Sequence, residues 1–352
     1  MRIDQRMGGK CMLKRVVCFV LAACMGMCCL AACSSATEPV ETTLPAPTEP
    51  AGEAEVLKVL TLGHSLTVDS CHMLNLVAAT EGYEGKMIIG TLYYSGCSLS
   101  QHVQFLKSGA AEYDLYLSST ETPETPPKIT DGVTMEYAIQ SDYWDVIILQ
   151  GNPWEIDDEE AFTAGYISVI QQFVNTHKRN PNAIFVWHMA WAMPGDEALL
   201  KSFPYENNPH YNNYIPYNFD KSAHYNAMLN CVKKYIVPDE TFSYVIASGT
   251  AIQNAWSSYL EEADLHRDYG HVTDYGRLIA AYTWYCTLAG IEQLEEIKVD
   301  AIPKVFLKST ENKSEDRVLT DSEKAILLEA VNNALKNPLE MTQSQYTERT
   351  AD

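Results

Sequence analysis

The chain has 352 residues, 46% of them hydrophobic, and a formal net charge of −21 at pH 7. That much apolar material supports a full core in one α/β domain, while the acidity excludes nucleic acid and anionic lipid head groups as partners held by charge. The imbalance is larger in the body of the chain. Residues 1–33 carry Arg2, Arg6, Lys10, Lys14 and Arg15 against Asp4, a net of +4, which leaves −25 for the remainder.

The N-terminus reads as a targeting segment. A basic start precedes the apolar run "VVCFVLAACMGMCCL", which is short for a membrane-spanning helix and ends in small residues, the pattern of a secretory signal. Leu30-Ala31-Ala32-Cys33 resembles the lipobox of bacterial lipoproteins. That resemblance implies cleavage before Cys33, a lipid on Cys33, and an exported protein of the bacterial cell envelope whose only membrane contact is the lipid anchor. Residues 34–55, "SSATEPVETTLPAPTEPAGEAE", contain no basic residue and cannot build a core, so a solvated linker is expected there. The body keeps four cysteines, Cys71, Cys97, Cys231 and Cys286, with no Cys-x-x-Cys pair. Such spacing does not suggest zinc, and it leaves both disulfides and buried free thiols open.

In chain order, continuous apolar runs predict strands at Val56–Leu62, Met87–Tyr94, Asp145–Leu149, Ala183–Met189 and Tyr244–Ala247. Helices are expected around 67–81, 98–107, 159–178, 222–236, 274–289 and 321–336. Apolar strands alternating with helices predict a three-layer α/β/α sandwich around a mostly parallel five-stranded sheet. Residues 112–142 form a turn-rich excursion compatible with a small hairpin. Residues 193–220 form a second excursion, rich in Tyr, Asn and Pro. The domain is expected to run from 56 to 340 and to end in a flexible tail, 341–352.

Ligands of open α/β sheets bind at the carboxyl ends of the strands, so the residues that follow each strand matter most. The first strand stops at Gly63-His64-Ser65, which is either a plain strand-to-helix turn capped by Ser65 or a turn that holds its hydroxyl at the sheet edge. The second is followed by "YYSGCSLSQH" with Gly96, and the third by "ILQGNPW" with Gln150 and Asn152. Late in the chain, "EADLHRDYGHVTDYG" places Asp268 three residues before His271. Acyl transfer needs a hydroxyl, a base, an orienting acid and oxyanion donors. Ser65, His271 and Asp268 supply the first three. The Ser65 and Gly96 amides, with the side chain of Asn152 or Gln150, supply the fourth. Asp264 and His266 are a second possible acid–base pair in the same loop.

These four blocks resemble those of the SGNH (GDSL-like) hydrolases, in particular an uncharacterised lipoprotein branch of that superfamily, over essentially all of 56–290. The resemblance implies a flavodoxin-like sandwich and a Ser-His-Asp esterase that needs no cofactor or metal. It further implies an acyl ester substrate, a small molecule or a glycan. His64 stands where Asp or Asn is usual before the serine, and Gln150 and Pro153 depart from the Gly-x-Asn-Asp block. His64, His188 and Trp191 are candidate pocket residues, and Tyr205, Tyr211, Tyr214 and Tyr217 could stack on sugar rings. Two rivals are a glycan-binding lipoprotein without turnover and a metal-dependent phosphoesterase, the latter with no ligand spacing in its favour. The sequence leaves oligomeric state open.

Overall fold

The structure, a computed structural model, describes residues 55–196, 199, 217–218, 220–308 and 314–349. The expectations for the signal, Cys33, the linker before Glu55 and the tyrosines at 205, 211 and 214 lie outside those residues. Five parallel strands form the centre: β1 (Val56–Gly63), β2 (Lys86–Tyr93), β5 (Val146–Gln150), β6 (Ile184–His188) and β7 (Phe242–Ile246). They coincide with the five apolar runs, and the reason is burial: Val59, Leu60, Leu62, Ile148, Leu149, Val186 and Trp187 have no exposed surface.

The sheet has seven strands, not five. β3 (Tyr113–Ser119) pairs antiparallel with β2, and β4 (Lys128–Val133) pairs antiparallel with β3, extending the sheet in the order β4-β3-β2-β1-β5-β6-β7. The turn-rich excursion is therefore a hairpin added to the sheet edge. Its strands escaped the search for continuous apolar runs because β4 is largely exposed and only alternate residues at the start of β3, Tyr113 and Leu115, are buried.

Helices cover the sheet in two sets. α1 (Ser65–Cys71), α2 (Leu74–Glu81), α8 (Ser248–Trp256) and α11 (Asp321–Lys336) pack around α10 (Asp274–Ala289), whereas α3 (Leu99–Ser108) and α4 (Met135–Gln140) pack on α6 (Tyr166–His177). Shorter pieces are α5 (Glu159–Thr163), α7 (Lys221–Cys231), α9 (Glu262–Leu265) and a two-stranded β8–β9 ribbon, Ala301–Ile302 with Arg317–Val318. The expected helix over 67–81 is two helices, broken at His72-Met73, where the His72 ring bonds to the Phe306 carbonyl at 3.0 Å. Residues 341–349 are not a loose tail. Thr342 N–H donates to Asn254 Oδ1 at 2.7 Å, Ser344 N–H to Ser257 Oγ at 2.7 Å, and Tyr259 N–H to the Tyr346 carbonyl at 2.8 Å. Cys71, Cys97, Cys231 and Cys286 are all buried and free. No helix among the described residues is long and apolar enough to cross a membrane.

β1 lies between β2 and β5, so the strand order reverses at β1, the place where open α/β sheets generally form a ligand crevice at the carboxyl ends of their strands. A buried ion cluster fixes what flanks that place. Asp69 of α1 accepts from Arg277 Nε of α10 at 2.8 Å, and Arg277 Nη1 reaches Asp274 Oδ1 and the Phe306 carbonyl at 3.2 Å each. Asp69 and Arg277 are 1% and 0% exposed, so neither charge can be left alone without water to solvate it. Asp69→Asn should destabilise the domain by about 3 kcal/mol in urea unfolding. A loss below about 0.5 kcal/mol would show that the cluster does not hold α1 on α10.

Candidate active site

Ser65 owes its position to its neighbours. β1 ends at Gly63, where an added Cβ would lie 2.0 Å from Thr67 Oγ1, so only glycine lets the chain turn this closely. His64, extended at φ −143°, is the helix cap: its Nδ1 accepts from Leu66 N–H at 3.4 Å, and its own N–H donates to Thr67 Oγ1 at 3.3 Å. Ser65 is therefore the first residue of α1 and not its cap, which leaves the hydroxyl unengaged by the turn. Its amide belongs to the helix start, where N–H groups have no partner within the helix.

The Ser65 hydroxyl meets His271 from 206 residues away. His271 Nε2 lies 2.9 Å from Ser65 Oγ, and His271 Nδ1 lies 2.9 and 3.0 Å from the two oxygens of Asp268. Asp268 also accepts from the Gly270 N–H at 3.0 Å and the His271 N–H at 2.8 Å. Burial opposes its ionisation, yet the hydrogen bonds and charge of His271 and these two amides outweigh that and bring the carboxyl down to about 2.

The loop that carries the pair is gripped from several sides. Trp191 Nε1 donates to the Gly270 carbonyl at 2.8 Å, Trp154 stacks on Tyr269 with centroids 5.6 Å apart, and Arg267 donates to the Val272 carbonyl and to Asp69 Oδ1, the latter at 3.2 Å. Burial works against the Asp69 carboxylate, but Arg277 and Arg267 more than compensate and hold it below the usual range. The same carboxylate thus anchors Ser65's helix and His271's loop. Arg267, Asp69 and Trp154 were not singled out from the sequence. Arg267 adjoins Asp268 and Asp69 falls one helical turn past Ser65, but neither spacing reveals that they meet.

Gly96 and Asn152 follow β2 and β5, the two strands that flank β1, and are in contact with each other. Gly96 has φ +60°, a left-handed conformation that favours glycine even though an added Cβ would meet nothing. Asn152 Nδ2 donates to the Gly96 carbonyl at 3.4 Å. Gln150 instead lies behind the β1–α1 turn, its Oε1 accepting from the Thr67 hydroxyl. His64, His188 and Trp191 do not line a pocket. They are 0%, 0% and 1% exposed: His64 caps α1, His188 packs edge-on to Trp284 and Trp191 bonds to the Gly270 carbonyl. Asp264 and His266 do not pair: Asp264 caps α9 by accepting from Glu261 N–H, whereas His266 stacks on Trp256 and burial pushes its ring down to about 3. Tyr217 has its hydroxyl on Asp157. Among the described residues, no group of three or more His, Cys, Asp or Glu is placed to hold a metal ion.

The depressed Asp268 carboxyl has a consequence for stability. Its folded value, about 2, lies below the ordinary 3.8, so its contribution is complete above pH 4 and is lost as pH falls through 2. Acid unfolding of wild type and Asp268→Asn should therefore differ above pH 4 and converge near pH 2. A constant difference across that window would contradict the assignment.

A family model described as a domain of unknown function, DUF4886, matches residues 58–303. The crystal structure of a DUF4886 family protein from Bacteroides uniformis superposes with a TM-score of 0.66 at 22% identity, covering 84% of this chain and all of that one, a likeness of fold. A proposed SGNH hydrolase from Slackia heliotrinireducens matches with a TM-score of 0.39 at 14% identity, over 66% of this chain and all of that one, too slight to bear on chemistry. No curated protein matches the chain. The matched segment covers well over half of the sequence, from β1 to β8, and the chain belongs to the DUF4886 family.

Proposed function

We propose that the chain is a serine esterase of SGNH type that hydrolyses acyl esters, with acetyl esters on carbohydrates as its substrates. The observation that carries this reading is the continuous relay from Ser65 Oγ through His271 to Asp268, with every link between 2.9 and 3.0 Å. A histidine so held accepts the serine proton through Nε2 while Asp268 keeps the other proton on Nδ1. Ser65 Oγ attacks the ester carbonyl, and His271 returns the proton to the departing alkoxide. Water, activated by the same base, then releases the acyl group.

The negative oxygen of the tetrahedral intermediate accepts from the Ser65 and Gly96 amides and from Asn152 Nδ2. The long 3.4 Å bond from Asn152 to the Gly96 carbonyl is weak enough to be exchanged for that oxygen. Gln150 accepts from the Thr67 hydroxyl through Oε1 and keeps its NH2 group as the alternative donor. The carbohydrate component rests on the lipoprotein-like N-terminus, since an exported, tethered esterase meets surface glycans. Incorporation of a labelled fatty acid that is lost in Cys33→Ala tests the tether.

Ser65→Ala should lower hydrolysis of p-nitrophenyl acetate by roughly 1,000-fold or more; undiminished turnover would remove the assignment. Asn152→Ala should cost about 100-fold in kcat with KM little changed. If Gln150→Ala shows that selective loss instead, the donor is Gln150. Acetate release from acetylated oligosaccharides, compared with release from acetylated peptides, tests the substrate class.

A further inference from the structure

Two connections carry the donors of the proposed oxyanion site, and they come from opposite sides of β1. One follows β2 and runs through Gly96 into α3; the other follows β5 and runs through Asn152. The carboxylate of Glu155 joins them. Its two oxygens each lie 3.0 Å from the Leu99 N–H, the first amide of α3, and the nearby backbone N–H groups of Ser100 and Asn152 also favour its ionised form. The backbone of Asn152 is held at its other end as well, because its carbonyl accepts from the Glu155 and Ile156 N–H groups at 2.9 Å each.

Glu155 thus stands three residues beyond Asn152 and grips the chain three residues beyond Gly96. The chemistry needs a carboxylate. All of its partners are donors, and an ionised carboxylate offers only acceptors, whereas an amide would turn an NH2 group toward backbone N–H groups. The start of α3 also favours negative charge. Burial pushes the Glu155 carboxyl above its ordinary value, with the amides of Leu99, Ser100 and Asn152 opposing that shift.

We propose that Glu155 is a positioning residue that sets the Gly96 amide and the Asn152 side chain at a fixed separation from each other and from Ser65. This inference rests on the esterase reading and adds to it a residue outside the relay and outside the four sequence blocks. Glu155 touches no reacting atom; it acts through the two connections it ties.

The test compares wild type, Glu155→Gln and Glu155→Ala, with the isosteric Gln variant deciding should the Ala variant fail to fold. Steady-state hydrolysis of p-nitrophenyl acetate, labelling of Ser65 by a fluorophosphonate and hydrogen exchange of residues 95–100 and 150–156 are measured. The expected result for Glu155→Gln is a kcat lower by about 10- to 100-fold, KM within about twofold, slower phosphonate labelling and faster exchange in both segments. An unchanged kcat, or unchanged exchange in both segments, overturns the proposal alone. A joint fall in kcat, rise in KM and loss of global melting temperature overturns it in favour of a purely structural role. A wild type that neither hydrolyses esters nor labels at Ser65 overturns the esterase reading, and this inference with it.

Discussion

Asp69 carries the constraint on which the remainder of the site depends. Ser65 and His271 are 206 positions apart, and a 2.9 Å contact between them survives only if the elements bearing them cannot drift. Asp69 lies one turn into the helix that Ser65 begins. It accepts from Arg277 on the helix that follows His271 and from Arg267 in the loop that precedes it. A buried carboxylate shared by two guanidinium groups is costly to disrupt from any side, since each ion would be left uncompensated. Hydrophobic packing alone would hold α1 against α10, but it is tolerant of sliding. Directional ion pairs restrict the register.

Around that anchor, each donor or acceptor of the site is fixed by a different local device. The close approach at Gly63 and the His64 cap aim Ser65 outward. The positive φ at Gly96 turns the chain beyond β2, and the Trp191 bond to Gly270 seats the loop that bears Asp268 and His271. These devices converge because the strand order places β1 between β2 and β5, where the crossovers diverge. Ser65, Gly96 and Asn152 follow strand ends, whereas Asp268 and His271 sit on a loop held by Trp191 and Arg267.

Much of this was legible in the sequence for a physical reason. The inner parallel strands, β5 and β6 most completely, are buried on both faces and read as unbroken apolar runs, and the relay residues follow strand or loop signals that a few residue types can satisfy. What was hidden depends on long-range pairing. The β3–β4 hairpin is half exposed, so its pattern resembles a loop. Trp191 and His188 read as pocket-wall residues because their position at a strand end is visible in the sequence while their depth is not. His64 departs from the block that this stretch resembles, and its ring bond to the Leu66 N–H shows that it acts as the cap. Asp69, Arg267 and Glu155 are ordinary charged residues until the chain brings their partners to them.

The central claim is that Ser65 is an activated nucleophile. Its most direct test is mass spectrometry of residues 56–352 after treatment with a fluorophosphonate, in wild type and in His271→Ala. One adduct, on Ser65, that disappears in the variant is the predicted result. A well-folded protein that takes no adduct, or takes it equally without His271, would contradict the account and leave the fold as a scaffold for binding.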